Sequence, residues 1–124
     1  MTNTVVVADD NADIRELVII AAAKAGMIVV ANVEDGALAL EAIREHVPDL
    51  AILDVSMPEL TGPEVCRQVR ADPALADVRI LLLTASADEA AKVTGMEAGA
   101  DYFLAKPFSP RELTAWLAVG KQPR

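Results

Sequence analysis

Apolar and polar positions along this chain run through five cycles, each a short continuous apolar stretch followed by a segment with helical spacing. Short apolar runs bounded by turn signals read as buried strands, which predicts strands near 4–8, 27–32, 49–54, 79–84 and 101–105. After the first run, Ile14, Leu17, Val18, Ala21 and Ala25 recur at helical spacing, with Gly26 as the stop. Leu40, Ile43 and Val47 mark a second helix, opened by Asp35-Gly36 and ended before Pro48. Three segments fit capping boxes and locate the later helix starts: Thr61-Gly62-Pro63-Glu64, Ser86-Ala87-Asp88-Glu89 and Ser109-Pro110-Arg111-Glu112. Gly99 closes the fourth helix, and Leu113, Trp116 and Leu117 define the inner face of the fifth. Regular alternation of strand and helix predicts an α/β fold, (βα)5, around a parallel sheet.

Composition narrows this picture. A chain of 124 residues fits one domain spanning 1–124, and with only four residues after Gly120 no output domain is expected. A hydrophobic fraction of 53% with two Phe, one Tyr and one Trp implies an aliphatic core, as sheets covered on both faces use. The formal charge of −8 argues against direct contact with nucleic acid or an anionic membrane surface. Residues 17–33 are largely apolar, but Lys24, Gly26 and Asn32 interrupt a stretch already short for a membrane span. No Lys or Arg precedes the first apolar run, and Asp9-Asp10 cuts it short, which argues against a secretory signal. Cys66, the single cysteine, excludes an intrachain disulfide and suits a reducing compartment, so a cytoplasmic location is expected.

Four of the apolar runs end on polar groups: Asp9-Asp10, Asp54, Thr84 and Lys106. Ligands of open parallel sheets sit outside the carboxyl ends of the strands, so three carboxylates, a hydroxyl and an ammonium are expected at one edge. Two unit charges about 4 Å apart repel by roughly 4 kcal/mol at an effective dielectric near 20. Something positive should therefore sit among the carboxylates, and oxygen-only ligands suit Mg2+. Alternatively, Asp10 or Asn11 merely caps the helix beginning near residue 12. That reading leaves Asp54, Thr84 and the Lys106-Pro107 dipeptide unexplained. His46 falls at a helix end, Cys66 beside Val65 and Val69 reads as a packing residue, and no zinc-ligand set, Ser-His-Asp arrangement or Gly-rich phosphate loop can be assembled.

The segments Val-Val-Val-Ala-Asp-Asp-Asn (5–11), Leu-Ala-Ile-Leu-Asp-Val-Ser-Met-Pro-Glu-Leu-Thr-Gly (50–62), Leu-Leu-Leu-Thr-Ala (81–85) and Gly-Ala-Asp-Tyr-Phe-Leu-Ala-Lys-Pro-Phe (99–108) resemble those of response-regulator receiver domains of two-component signalling. The resemblance spans essentially the whole chain. It implies a flavodoxin-like three-layer sandwich whose five parallel strands follow the order 2-1-3-4-5. It also implies that Asp54 accepts a phosphoryl group from a phosphohistidine of a sensor histidine kinase or phosphotransfer protein. Asp10 would bind Mg2+ directly and Asp9 mainly through water, with Asp54 and the backbone carbonyl of Ser56 completing the protein's share of the metal shell. Lys106 would pair with a phosphoryl oxygen or, before phosphorylation, with Asp54, aimed inward by a cis Lys106-Pro107 peptide. Thr84 would donate its hydroxyl to the phosphoryl group.

By the same resemblance, movement of Thr84 opens space that an aromatic three residues before Lys106 fills, switching a partner surface built from helix 4, strand 5 and helix 5. That aromatic is Phe103, which packs but cannot hydrogen-bond, while Tyr102 falls on the opposite face of the strand. Small side chains at Ser56 and Ser86, beside the phosphoryl position, imply ready access of water and a short phosphoryl lifetime. The expected partners are the phosphoryl donor and an unidentified downstream protein, with a homodimer left open and no direct contact with nucleic acid or membrane. An aspartate-based phosphatase would want a second Asp where Ser56 stands, and a flavin mononucleotide binder would meet acidic strand ends that repel its phosphate.

Overall fold

The computed structural model describes residues 3–85, 89–106 and 108–120. Five strands and five helices alternate: β1 (Asn3–Ala8), α1 (Ala12–Lys24), β2 (Met27–Val33), α2 (Gly36–His46), β3 (Leu50–Asp54), α3 (Gly62–Arg70), β4 (Arg79–Thr84), α4 (Glu89–Glu97), β5 (Tyr102–Ala105) and α5 (Pro110–Gly120), with a single 3-10 turn at Pro73–Leu75 before β4. Adjacent strands are parallel and the sheet order is β2-β1-β3-β4-β5. The flavodoxin-like arrangement expected from the sequence is therefore the fold observed.

Strand alternation divides the core into two layers. Val6, Ala8, Ala51, Leu53, Ile80 and Leu82 face α2, α3 and α4, where they meet Ile43, Val65, Val69 and Ala98. Val5, Val7, Leu50, Ile52, Leu81 and Leu83 face α1 and α5, packing on Val18, Ala21, Leu113 and Leu117. Each fully buried Leu, Ile or Val contributes roughly 1.5–3 kcal/mol relative to exposure, so the three central strands supply the heart of the core. The edge strands differ from the buried runs expected: β5 is only half-buried and carries exposed Ala105 at its end, because nothing pairs beyond it. On the other edge, the register with β1 slips between Val5 and Val6, so that β2 carries one extra residue, Val30.

Local chemistry places the loops. Asn11 caps α1 by accepting the N–H groups of Asp13 and Ile14, and Asp35 caps α2 through Leu38. Thr61 and Glu64 form the reciprocal capping box of α3. The Glu112 N–H donates to Ser109 Oγ at the start of α5. The box expected at 86–89 involves Ser86, which lies outside the described residues. Gly26 and Gly99 take positive φ of 83° and 104°, the left-handed stops predicted for α1 and α4. Trp116 is half-buried rather than fully inward, standing edge-on to Tyr102 with ring centroids 5.0 Å apart. His46 is exposed at the end of α2, 3.8 Å from the Glu45 carboxylate. Among the described residues no helix is long and apolar enough to cross a membrane.

Candidate phosphoryl-transfer site at the strand ends

Parallel register brings the polar strand ends to one level. Ala8 pairs with Leu53, Asp54 with Leu83, and Thr84 with Ala105, so Asp9, Asp54, Thr84 and Lys106 emerge side by side. Asp9 is fully buried, Asp54 and Thr84 nearly so, and Asp10 is exposed. Carboxylate oxygens of Asp9, Asp10 and Asp54 lie within 4.8 Å of one another. Asp10, Asp54, Val55, Ser56, Thr84, Ala85 and Lys106 line a cleft of about 320 Å3 over the sheet edge. Every residue singled out from the strand ends is thus brought together.

The ammonium of Lys106 does more than pair with Asp54. It lies 3.0 Å from Asp9 Oδ2 and 3.3 Å from Asp54 Oδ1, a fixed cation between two buried carboxylates. Burial alone would make this lysine easier to deprotonate, but its hydrogen bond to Asp9 and the charge of Asp54 outweigh that, and its pKa is raised. Asp54 is also pushed above the usual carboxylate range. Burial is the main cause and the Asp9 charge adds to it, while Lys106 and the backbone N–H of Ser56 partly offset both. Electrostatically, then, the site is short of positive charge. An oxygen-only set of three carboxylates beside an open cleft fits a hard divalent cation, with exposed Asp10 the most accessible donor.

Asp9 is held at every polar atom that could swing. Its N–H donates to Val33 O at 3.2 Å, its Oδ1 accepts from Asn11 N–H at 2.9 Å, and its carbonyl accepts from Arg15 Nη1 at 2.9 Å. The sequence marks Ser56 for its carbonyl but neither its N–H nor Arg15 as part of the site. A charged residue one turn into α1 reads as part of a solvated helix face, and a backbone donor has no side-chain signature. Gly62 has a comparable hidden role, because a Cβ there would lie 2.6 Å from the Asp54 carbonyl. Its N–H donates to Val55 O at 3.0 Å, which draws the start of α3 tightly over the end of β3.

Phe103 and Tyr102 lie on opposite faces as expected, Phe103 with the α2–α4 layer and Tyr102 with the α1–α5 layer. The Phe103 ring lies against Gly95 of α4, where any Cβ would collide with it. The expected cis peptide at Lys106-Pro107 and the position of Ser86 fall outside the described residues.

The sequence model of the response regulator receiver domain matches residues 5–118. The transcriptional regulatory protein GltR of Pseudomonas aeruginosa is 46% identical over 112 residues, 90% of this chain and 46% of that protein. The DNA-binding response regulator MtrA of Mycobacterium tuberculosis is 42% identical over 115 residues, 93% of this chain and 49% of that protein. The chain therefore spans about half the length of the curated relatives it matches. Among solved structures, the signal receiver domain of NarL from Mycobacterium tuberculosis superposes with a TM-score of 0.88 at 35% identity, covering 98% of both chains. The chemotaxis response regulator CheY4 of Vibrio cholerae gives 0.87 at 33% identity, covering 94% of this chain and 97% of that one. Fold, strand-end chemistry and these likenesses agree: the chain belongs to the response regulator receiver domain family.

Proposed function

We propose that this domain accepts a phosphoryl group on Asp54 from a phosphohistidine of a sensor kinase or phosphotransfer protein, and that the aspartyl phosphate is its output signal. The observation that carries the reading is the buried Asp54 carboxylate at the mouth of the cleft, with Lys106 Nζ at 3.3 Å and the carboxylates of Asp9 and Asp10 within 4.8 Å. In the transfer, the N–P bond of the donor breaks and an O–P bond forms at an Asp54 carboxylate oxygen. The released imidazole nitrogen takes up a proton. Phosphoryl transfer asks a protein mainly for position and charge neutralisation, and this site is built of those elements.

Asp10, Asp54 and the carbonyl of Ser56 would hold Mg2+, with Asp9 acting behind them. Once bound, the ion would neutralise charge on the phosphoryl oxygens. Lys106, already fixed by Asp9, is placed to pair with a second phosphoryl oxygen. Thr84 lines the same cleft and would donate its hydroxyl to the group. Its displacement toward the phosphoryl group would let Phe103 repack beneath α4 and alter the face made by α4, β5 and α5, where a downstream protein or a second copy of the domain would bind. The relatives named as transcriptional and DNA-binding regulators support a transcriptional output for a whole protein of their kind. With a charge of −8, the receiver itself is a poor DNA contact and would act through a partner or an attached segment. A cytoplasmic location completes the proposal.

The test is the intact mass of the protein after incubation with a small acyl phosphate, with and without Mg2+, for wild type and Asp54→Asn. One added phosphoryl group requiring both Mg2+ and Asp54 is expected. No adduct together with no consumption of the donor overturns the reading, whereas Asp54-dependent consumption without an adduct supports the short phosphoryl lifetime implied by the small Ser56 side chain.

A further inference from the structure

We infer that Arg15 is a positioning residue of the acidic site, holding the Asp9–Asp10 peptide so that Asp10 presents its carboxylate to a cation in the cleft. The inference rests on the proposed Mg2+ role of Asp10 and adds a residue outside the strand-end constellation. Arg15 Nη1 donates to the Asp9 carbonyl at 2.9 Å, and that carbonyl belongs to the peptide linking Asp9 to Asp10. Asp9 is immobile by its other contacts, through its N–H to Val33 O and its carboxylate to Asn11 N–H and Lys106 Nζ. Rotation of this peptide and the side-chain torsions of Asp10 are what remain to aim its carboxylate, and Arg15 restrains the first.

Burial gives that bond its force. Asp9 has no exposed surface, so its carbonyl cannot exchange Arg15 for solvent while the loop keeps its shape. Arg15 is itself braced from below. It lies one turn into α1, its N–H bonded to Asn11 O, and its side chain borders a small cleft with Asn32, Val33, Glu34 and Leu38. Arg15 thus holds the β1–α1 loop from a place beside the end of β2 and the start of α2. Asp10, by contrast, is exposed, so the placing of its backbone sets where its carboxylate starts from.

Charge and position make opposite predictions for Arg15, which renders the inference testable. If Arg15 were only a nearby cation, its removal would tighten the binding of Mg2+ to the three carboxylates. If it positions Asp10, removal would weaken binding, by roughly tenfold or more when a partner that orients metal ligands is lost. The experiment is isothermal titration of Mg2+ into wild type, Arg15→Met and Arg15→Lys at fixed ionic strength, with thermal unfolding in chelator as a folding control. The expected result is weaker binding by about tenfold for Arg15→Met and partial recovery for Arg15→Lys, whose ammonium can still donate to the carbonyl. Unchanged or tighter binding in a folded Arg15→Met protein overturns the inference. Should Arg15→Met not fold, Arg15→Lys decides alone, with affinity equal to or above wild type as the overturning result. Failure of the wild type to bind Mg2+ would instead overturn the metal site of the proposed function.

Discussion

Replacing Asp54 by Asn should stabilise the metal-free protein, although it removes the residue on which the proposed function turns. With neighbouring carboxylate oxygens up to 4.8 Å away, each pair repels by about 3.5 kcal/mol at an effective dielectric near 20. The Lys106 ammonium at 3.3 Å attracts Asp54 by about 5 kcal/mol on the same scale. Two repulsions against one attraction leave an imbalance of about 2 kcal/mol, reduced somewhat because Asp10 is exposed and screened. Burial of the ion, the main cause of the raised pKa of Asp54, acts in the same direction. A neutral isostere escapes both penalties, and Lys106 retains Asp9 at 3.0 Å. The gain expected for Asp54→Asn is therefore about 1–2 kcal/mol at neutral pH in chelator.

The pH dependence of that gain follows from linkage. Below the unfolded pKa, near 3.9, Asp54 is protonated in both states and the variant has no advantage. As pH rises from there toward the raised folded value, the unfolded chain ionises Asp54 freely while the native state resists. Stability of the wild type relative to Asp54→Asn falls over that window and levels off above it. Mg2+ should reverse the order, because it stabilises whichever native state binds it and the wild type keeps one more carboxylate for it. Urea unfolding at several pH values, with Mg2+ and with chelator, measures all of this. An Asp54→Asn protein less stable than wild type by 1 kcal/mol or more at pH 7 in chelator, or with no pH dependence in the difference, would refute the electrostatic reasoning (the threshold is about half the worked imbalance).

Two further perturbations test the supports around the site. Gly95→Ala should destabilise the protein by about 1–3 kcal/mol although alanine is the better helix former by about 1 kcal/mol, because the new Cβ collides with the Phe103 ring; a raised unfolding temperature would mean that the ring gives way freely. Arg70→Met should cost about 3–5 kcal/mol in urea unfolding, since the guanidinium donates to Gly99 O, Val78 O and Asp101 Oδ2, and its loss takes the cation away from the buried Asp101 carboxylate; a change under 1 kcal/mol would show that this clasp between the end of α3 and the segments entering β4 and β5 is solvated.

Local physics accounts for how much of this fold is legible in the sequence. The apolar runs ending at Ala8, Asp54, Thr84 and Ala105 are strands because they are short, continuous and bounded by turn chemistry, and each boundary falls within a residue or so of its expected place. Thr61 with Glu64, Asn11 and Asp35 announce helix starts because a cap acts over only two or three residues, a distance that sequence shows directly. Parallel strands share one direction, so Asp9, Asp54, Thr84 and Lys106 at their carboxyl ends had to converge on one edge. The strand order itself came from family resemblance, since periodicity does not say which strand lies beside which.

Only the tertiary structure decided the contacts that join distant positions. Lys106 bridges Asp9 as well as Asp54 because β5 ends at the height of β1, 97 residues away along the chain. Arg15 bonds a backbone carbonyl, Ser56 offers a backbone donor, and Gly62 and Gly95 matter for the side chain they lack. None of these carries a mark in residue type or spacing. Edge effects were equally hidden: β5 and β2 carry apolar sequence like the central strands, yet lie half-exposed because the sheet stops there. Sequence determined which groups stand at the strand ends, because periodicity and capping are local. Folding alone determined which of those groups touch, because charge pairing and burial depend on distances that no local pattern encodes.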